Sequence, residues 1–414
     1  MAITRFSSNV LTALFLVGML AIVGSIMGIQ SSFSILSNNK TVSSSGAVEY
    51  SSVKILTSFM EDWFFNESRP IEVATKFDVV ITWCGDFIPQ MRNANPDLIL
   101  LRYMPIGAVY SDGWGWNESL AGGWLLKDIY GTYIRSTIWQ TLYLVNPNAP
   151  GYRSWLATYC KQILDQYGYE GIFADGASAV TRPLWDLSGD PVNPDTGKVY
   201  TDHEWVIALS GLNQLVKTTI APKLLIGNGC LRGGGPIGGW THLDDYQLLL
   251  QNMDGAMIET SIFASWEGNR SQQDWIQDVS FIKWHTSRNK YSLIWSAVDN
   301  GQQAQSLSLY CLTSYLLGMG DFHFASVSVT NTMETPYVQK LLNVTLGTSL
   351  EEFHNRTDNP NIFERDFSNS KVMVNPSGVS YEISLMGSYA NLDGQIVTQV
   401  SLPSHTGTIL LNTH

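Results

Sequence analysis

Cysteine is scarce in this chain, four among 414 residues, and Cys84, Cys160, Cys230 and Cys311 stand far apart with no C-x-x-C spacing. A thiolate zinc site is thereby disfavoured, while disulfide pairing after export and buried free thiols both stay open. The seven histidines show no metal-ligand spacing, and Asp186, Asp190 and Asp195 do not match a recognised calcium loop, so neither a metal nor another cofactor is expected. There is no G-x-S-x-G elbow, which disfavours a serine esterase. No P-loop occurs, and no G-x-G-x-x-G follows the first apolar run, which disfavours an open nucleotide-binding sheet. Positive charge is also short. Lys and Arg number 24 against 36 Asp and Glu, a net charge of −12, so the chain has no electrostatic footprint for phosphate backbones and nucleic acid is not an expected partner.

Apolar residues make up 44% of the sequence, enough for one large domain and a smaller second unit. The 14 tryptophans suit rings stacked on sugars and a large core equally well. An uncharged run from Val10 to Ile29 follows Arg5 and is long enough to cross a hydrocarbon core as a helix. With Arg5 on its upstream side, the positive-inside rule puts the N-terminus in the cytoplasm and the rest of the chain outside. This reads as a signal anchor, and cleavage near Val23-Gly24-Ser25, the weaker alternative, exports the chain equally. Residues 31–45 are Ser-rich, as a flexible spacer would be. Sequons at Asn39, Asn66, Asn117, Asn269, Asn343 and Asn355 fit an exported glycoprotein.

Beyond the spacer, short continuous apolar runs alternate with helical stretches, the pattern of parallel strands covered on both faces. Eight runs are expected as strands: Val53–Phe59, Phe77–Trp83, Asp97–Met104, Gly171–Asp175, Leu224–Asn228, Ala256–Thr260, Tyr291–Ala297 and Asp321–Ala325. Helices are expected over Gly151–Tyr167, Asp202–Thr219, Gln272–His285 and Gln303–Leu317, with the first two βα units compressed. Eight strands with helices between them over about 300 residues predict a (β/α)8 TIM barrel of the α/β class. After about Leu346 short strand-like pieces follow one another, which predicts a small C-terminal β-sandwich. The expected division is therefore a transmembrane anchor at 1–30, a spacer at 31–49, a barrel at 50–345 and the sandwich at 346–414.

Two strands of this set end in an acid, Asp175 in Gly-Ile-Phe-Ala-Asp-Gly and Glu259 in Gly-Ala-Met-Ile-Glu-Thr. Each follows an apolar strand, where a carboxylate is costly to bury without a partner or a purpose. In a barrel both would face the mouth, and glycosidic bond cleavage needs two carboxyl groups at a fixed separation. The competing expectation is that either acid only caps a helix or pairs with an arginine. Trp83, Arg102, Tyr103, Asn228, Trp295 and Asp299, also near strand ends, are candidates for stacking on or hydrogen-bonding to a sugar. Trp114, Trp116 and Trp124, in the long segment after the third strand, would either line the cleft or anchor that loop.

The run Asn146-Pro-Asn-Ala-Pro-Gly-Tyr-Arg-Ser-Trp-Leu and the segment Gln166-Tyr-Gly-Tyr-Glu-Gly-Ile-Phe-Ala-Asp-Gly resemble the signature of hypothetical glycosyl hydrolase family fifteen, and more distantly the endo-α-galactosaminidase barrels. Further likeness lies in Thr75-Lys-Phe-Asp-Val-Val, Asn95-Pro-Asp-Leu-Ile-Leu-Leu-Arg-Tyr and the late segment Phe363–Pro376, over roughly residues 50–385. The resemblance implies an α-glycosidase arrangement of the retaining type, with Asp175 matching the fourth-strand nucleophile and Glu259 the sixth-strand acid/base. Where the family usually carries a second acid or Asn soon after the fourth-strand Asp, this chain has Gly176-Ala177-Ser178. The expectation is an extracellular glycosidase acting on an oligosaccharide or polysaccharide. A carbohydrate-binding or cell-surface barrel without turnover is the alternative.

Overall fold

The computed structural model describes residues 49–50, 56–58, 69–179, 181, 186–228, 243–258, 263–265, 268–269, 271–298, 304–320, 323–329 and 344–413. Residues 10–29, the spacer at 31–45, Cys230, Glu259 and Asp299 lie outside the described residues.

All eight expected strands form: β1 Leu56–Ser58, β2 Val79–Thr82, β3 Ile99–Pro105, β4 Gly171–Asp175, β5 Leu224–Gly227, β6 Gly255–Ile258, β7 Tyr291–Val298 and β8 His323–Val329. They make one sheet in chain order, every neighbouring pair parallel. The sheet curls until β8 comes back within 8 Å of β1. Among the helices between the strands are α1 Arg69–Lys76, α2 Ile88–Ala94, α3 Pro150–Tyr167, α4 Asp202–Ile220, α5 Leu243–Leu250, α6 Gln272–Thr286 and α7 Ala304–Gly318, with a further short helix, Trp116–Gly122, in the long segment after β3. The first two are short, eight and seven residues, so the opening units are compressed as expected. Local chemistry sets several ends. Pro150 occupies the first turn of α3, where its missing N–H costs nothing, and Thr201 with Glu204 forms a capping box at the start of α4.

Side chains alternate across each strand, which sorts the apolar residues into two layers. Ile99, Leu101 and Tyr103 of β3, Phe173 of β4, Leu224 and Ile226 of β5, Met257 of β6 and Leu293 and Trp295 of β7 fill the inside of the curl. Leu100, Met104, Ile172, Ala174, Leu225 and Ala256 pack outward on the helices. Cys84, Cys160 and Cys311 are buried, and burial pushes the Cys160 and Cys311 thiols up to about 12.

The C-terminal region departs from the expected sandwich. β9 His354–Asn355, β10 Phe363–Asp366, β11 Ser370–Asn375, β12 Tyr381–Ala390, β13 Ile396–Leu402 and β14 Thr406–Asn412 form one continuous antiparallel sheet in the order β9-β10-β11-β14-β12-β13. One face, with Phe363, Val372, Val374 and Ile409, packs with Tyr310 and Leu316 of α7. On the other face Met373 and Leu410 meet Ile383 and Leu402. A register shift in β12 between Ser384 and Tyr389 lets the single sheet bend over its own second face, so no separate partner sheet is required. Arg365 fastens this sheet to the barrel: its Nη1 donates to the carbonyls of Leu316, Leu317 and Met319 at 3.1, 3.1 and 2.9 Å, where α7 ends. Glu49 and Tyr50, just ahead of β1, pair with Thr348 and Gly347 just ahead of the C-terminal sheet, so the backbone bridges the boundaries drawn from sequence at 49 and 345.

No helix among the described residues is long and apolar enough to cross a membrane.

Candidate active site

Strand β4 carries Asp175 to the rim of the curl. Phe173 faces inward and Ala174 outward, so Asp175, two residues after Phe173, falls on the inner face at the C-terminal end. It is only 3% exposed, and both carboxylate oxygens are engaged. Tyr103, inward on the adjoining β3, donates its hydroxyl to Oδ2 at 2.7 Å, and Asn228, directly after β5, donates Nδ2 to Oδ1 at 3.0 Å. The backbone N–H of Gly176 adds a third donor. Gly176 sits at φ +77°, a left-handed turn that glycine adopts without strain.

Burial pushes the Asp175 carboxyl up to about 7, while the donations from Tyr103, Asn228 and Gly176 act in the opposite direction by favouring the ionised form. Among the described residues no cationic side chain contributes to its environment. An ion pair with a barrel arginine, one of the two bland readings of this acid, is therefore not what holds it. Asp254 makes a useful contrast. Burial raises it too, to about 6, but it precedes β6 at the opposite end of the strands and is paired at 2.6 Å with Lys217. A perturbed carboxylate clamped by lysine at the N-terminal end of a barrel-like sheet is a stability feature.

The inner wall near Asp175 is aromatic. Trp83 stands edge-on to Tyr103, with centroids 5.8 Å apart, and Tyr103 lies at the same distance from Phe173. Trp295, 5% exposed, is inward on β7 in the same apolar cluster. Trp139 joins this cluster half-buried from the long segment between β3 and α3, its backbone N–H held by Ser136 Oγ at 2.9 Å. That residue was not singled out from the sequence, because nothing in the surrounding Thr-Ile-Trp-Gln says that a loop turns it back over the strand ends. Tyr110 was missed for the same reason. It belongs to a hairpin, Ala108–Tyr110 paired with Leu142–Leu144, and lies close enough to Asp175 for the carboxylate charge to act on it.

The expected sugar contacts thus separate. Tyr103 and Asn228 hydrogen-bond Asp175, and Trp83 and Trp295 share the inner apolar cluster with Tyr103. Arg102 does not. The alternation of β3 turns it to the helix side with Leu100 and Met104, where its guanidinium donates to the Trp83 carbonyl and its charge acts on Tyr159 and Tyr169. The error came from treating every residue near a strand end as facing the mouth, when the two-residue period sends alternate side chains the other way. Trp114 and Trp124 are loop anchors. Trp114 stacks on Trp155 and Tyr159 of α3 with centroids 5.6 and 5.2 Å away, and Trp124 packs on Tyr152 and Trp155. Trp116 packs on Tyr143 of the hairpin. Glu259 follows β6 directly in the chain and Asp299 follows β7, both outside the described residues. Among the described residues no group of three or more His, Cys, Asp or Glu could hold a metal ion.

No curated protein matches the chain in sequence. Its fold is similar to that of a GH31 family sulfoquinovosidase from E. rectale solved with an aza-sugar inhibitor, at 11% identity and a TM-score of 0.52 over 88% of this chain and 62% of that one. It is also similar to an alpha-amylase from Geobacillus thermoleovorans complexed with acarbose, at 8% identity and a TM-score of 0.50 over 87% of this chain and 98% of that one. At such identities the likeness is one of fold. The sequence profile of hypothetical glycosyl hydrolase family 15 matches residues 102–371, which take in the second half of β3, β4 through β8, Asp175 and the start of the C-terminal sheet, and the chain belongs to that family.

Proposed function

We propose that the protein is a glycoside hydrolase that cleaves α-linked O-glycosidic bonds of an extracellular polysaccharide or glycan. Asp175 is the attacking carboxylate and Glu259 the proton donor. The observation that carries the reading is Asp175 itself, a buried carboxylate on the inner face of β4, oriented by Tyr103 and Asn228 and with no cationic partner among the described residues. In the reaction Glu259 gives its proton to the departing glycosidic oxygen as Asp175 bonds to the anomeric carbon, and water, deprotonated by Glu259, then releases the sugar and frees Asp175. Covalent continuity supports Glu259 as the second group, since β6 ends at Ile258. Trp83, Trp139 and Trp295 offer ring faces and edges for the sugar, and Asp299, following β7, is a polar contact in the same reading.

The residue 10–29 segment anchors the chain in the cell membrane with the catalytic part outside, and residues 31–49 act largely as the spacer. The boundaries at 50–345 for a closed (β/α)8 barrel and 346–414 for the appended sheet belong to the same reading.

Purified full-length protein incubated with a panel of α-linked polymers should release reducing ends, and Asp175→Asn and Glu259→Gln should each abolish the release while leaving the fold intact. Full activity in both variants would remove the assignment. Calorimetric binding of an oligosaccharide with no release by the parent protein would select the alternative, a carbohydrate-binding barrel without turnover.

A further inference from the structure

The long segment between β3 and α3 folds into a small sheet with two unlike faces. Lys127 pairs across the ladder with Tyr133, Arg135 pairs with Tyr143, and Tyr143 pairs in turn with Val109 of the hairpin. Cross-strand partners share a face and so do residues two apart, which puts Lys127, Tyr133, Arg135 and Tyr143 on one side. The other side, with Leu126, Ile134, Leu142 and Leu144, is buried in the core. Lys127, Tyr133 and Arg135 are exposed, Tyr143 is half-buried, and Trp116 extends the row by packing on Tyr143 with centroids 4.9 Å apart.

Rings and cations alternate along this row, on a chain whose net charge is −12. Neither cation enters an ion pair among the described residues. Lys127 stands over the Tyr133 ring, 4.8 Å from its centroid, and Arg135 donates Nη1 to the Gln140 carbonyl at 3.3 Å, so both are positioned without an acid. Asp128, next in the chain after Lys127, is turned to the hairpin tip, where its Oδ1 accepts the N–H groups of Tyr130 and Thr132 at 2.9 and 2.8 Å. Glu118, two positions after Trp116, lies across their helix from it. Tyrosine and tryptophan rings receive the apolar faces of sugars, and a guanidinium receives carboxylate or sulfate oxygens. Past Arg135 the same strand leads to Trp139, whose N–H is held by Ser136 Oγ and whose ring joins the inner cluster with Tyr103.

We infer that this face is an extended binding site for an acidic glycan, a chain of uronic acid or sulfated sugars that lies on Tyr143 and Tyr133, pairs its anionic groups with Arg135 and Lys127, and continues toward Trp139. The choice of a glycan as occupant rests on the glycosidase reading; the demand for negative charge does not.

The test is calorimetry on full-length protein carrying Asp175→Asn, with oligogalacturonate as the carboxylate probe, a carrageenan oligosaccharide as the sulfate probe and a malto-oligosaccharide of the same length as the neutral control. One acidic probe should bind at least about tenfold more tightly than the neutral one, with an affinity that falls as salt is raised. Lys127→Gln combined with Arg135→Gln should weaken that binding about tenfold and leave the neutral probe unaffected, and Tyr133→Ala should weaken it about fivefold. These side chains are exposed, so the variants keep the buried face of the sheet. Absence of binding by both acidic probes, equal affinity for the neutral one, or an unchanged affinity in the double variant overturns the site. Full affinity in Tyr133→Ala would reduce it to plain charge attraction and overturn it as well. Tighter binding of glycerophosphoserine than of either acidic sugar would assign the face to a lipid headgroup instead. Charge-dependent binding with no release of sugar by the parent would end the hydrolase reading and keep the site, while release of sugar without such binding would end the site only.

Discussion

The hydroxyl of Tyr103 reaches Oδ2 of Asp175 across the seam between β3 and β4, where Tyr103 pairs in register with Phe173 and Pro105 with Asp175. The two-residue offset lets an inward tyrosine on one strand lean up to an inward acid on the next, and the carboxylate is oriented by the sheet itself.

The pH dependence of kcat/KM follows from that environment. Burial lifts the Asp175 carboxyl to about 7, and a nucleophile must be ionised to attack. Activity should therefore rise with pH through a midpoint near 7 on the acid side of the profile. A profile whose only loss near 7 comes as pH increases would make Asp175 the proton donor instead.

Stability carries the same signature with a definite sign. The native carboxyl holds its proton up to about 7 and the unfolded one only to about 4, so the native state binds more protons between those values and loses stability as pH rises across the window. Asp175→Asn removes this loss. Its stability relative to the parent should climb from pH 4 to 7 and level off above, a difference on the order of 4 kcal/mol once the parent carboxyl is ionised. A constant offset across the range would contradict the assigned burial of charge. Asp254, raised for its own reasons, is common to both proteins and cancels.

Most of the strand scaffold was legible in the sequence because continuous apolar runs such as Gly171-Ile-Phe-Ala and Tyr291-Ser-Leu-Ile-Trp bury both faces and have few alternatives. Helix α5 was not foreseen; its Leu-Asp-Asp-Tyr-Gln-Leu-Leu-Leu is short and follows a Gly-rich stretch without an obvious start signal. Asp175 was legible as an acid closing an apolar strand. Its neighbour Tyr110 and the ring of Trp139 were not, since both depend on how a long loop folds back on itself through the pairing of Ala108–Tyr110 with Leu142–Leu144. The C-terminal strands were placed well, but whether they form one sheet or two is decided by the shift at Ser384 and Tyr389, which leaves no mark on the apolar pattern.

Trp139 should act in binding and not in bond cleavage. Trp139→Ala removes an aromatic face at the rim without touching Asp175, so KM should rise about tenfold with kcat changed by less than about threefold. An unchanged KM would show that Trp139 only closes over the apolar interior.

Arg365→Met should unfasten the C-terminal sheet. Three carbonyls at the end of α7 and the Ser349 hydroxyl lose a shared donor from an almost fully buried position. Urea unfolding should show a loss of about 3 kcal/mol, and a loss below about 1 kcal/mol would mean that water or neighbouring groups take over those carbonyls.

The most direct test of the central claim is the initial rate of reducing-end release from the best α-linked substrate by parent protein and by Asp175→Asn, side by side and with matched folding. The account predicts a loss of at least about a thousandfold in the variant. A variant that keeps a tenth or more of the parent rate would show that the buried carboxylate on β4 does not perform the chemistry.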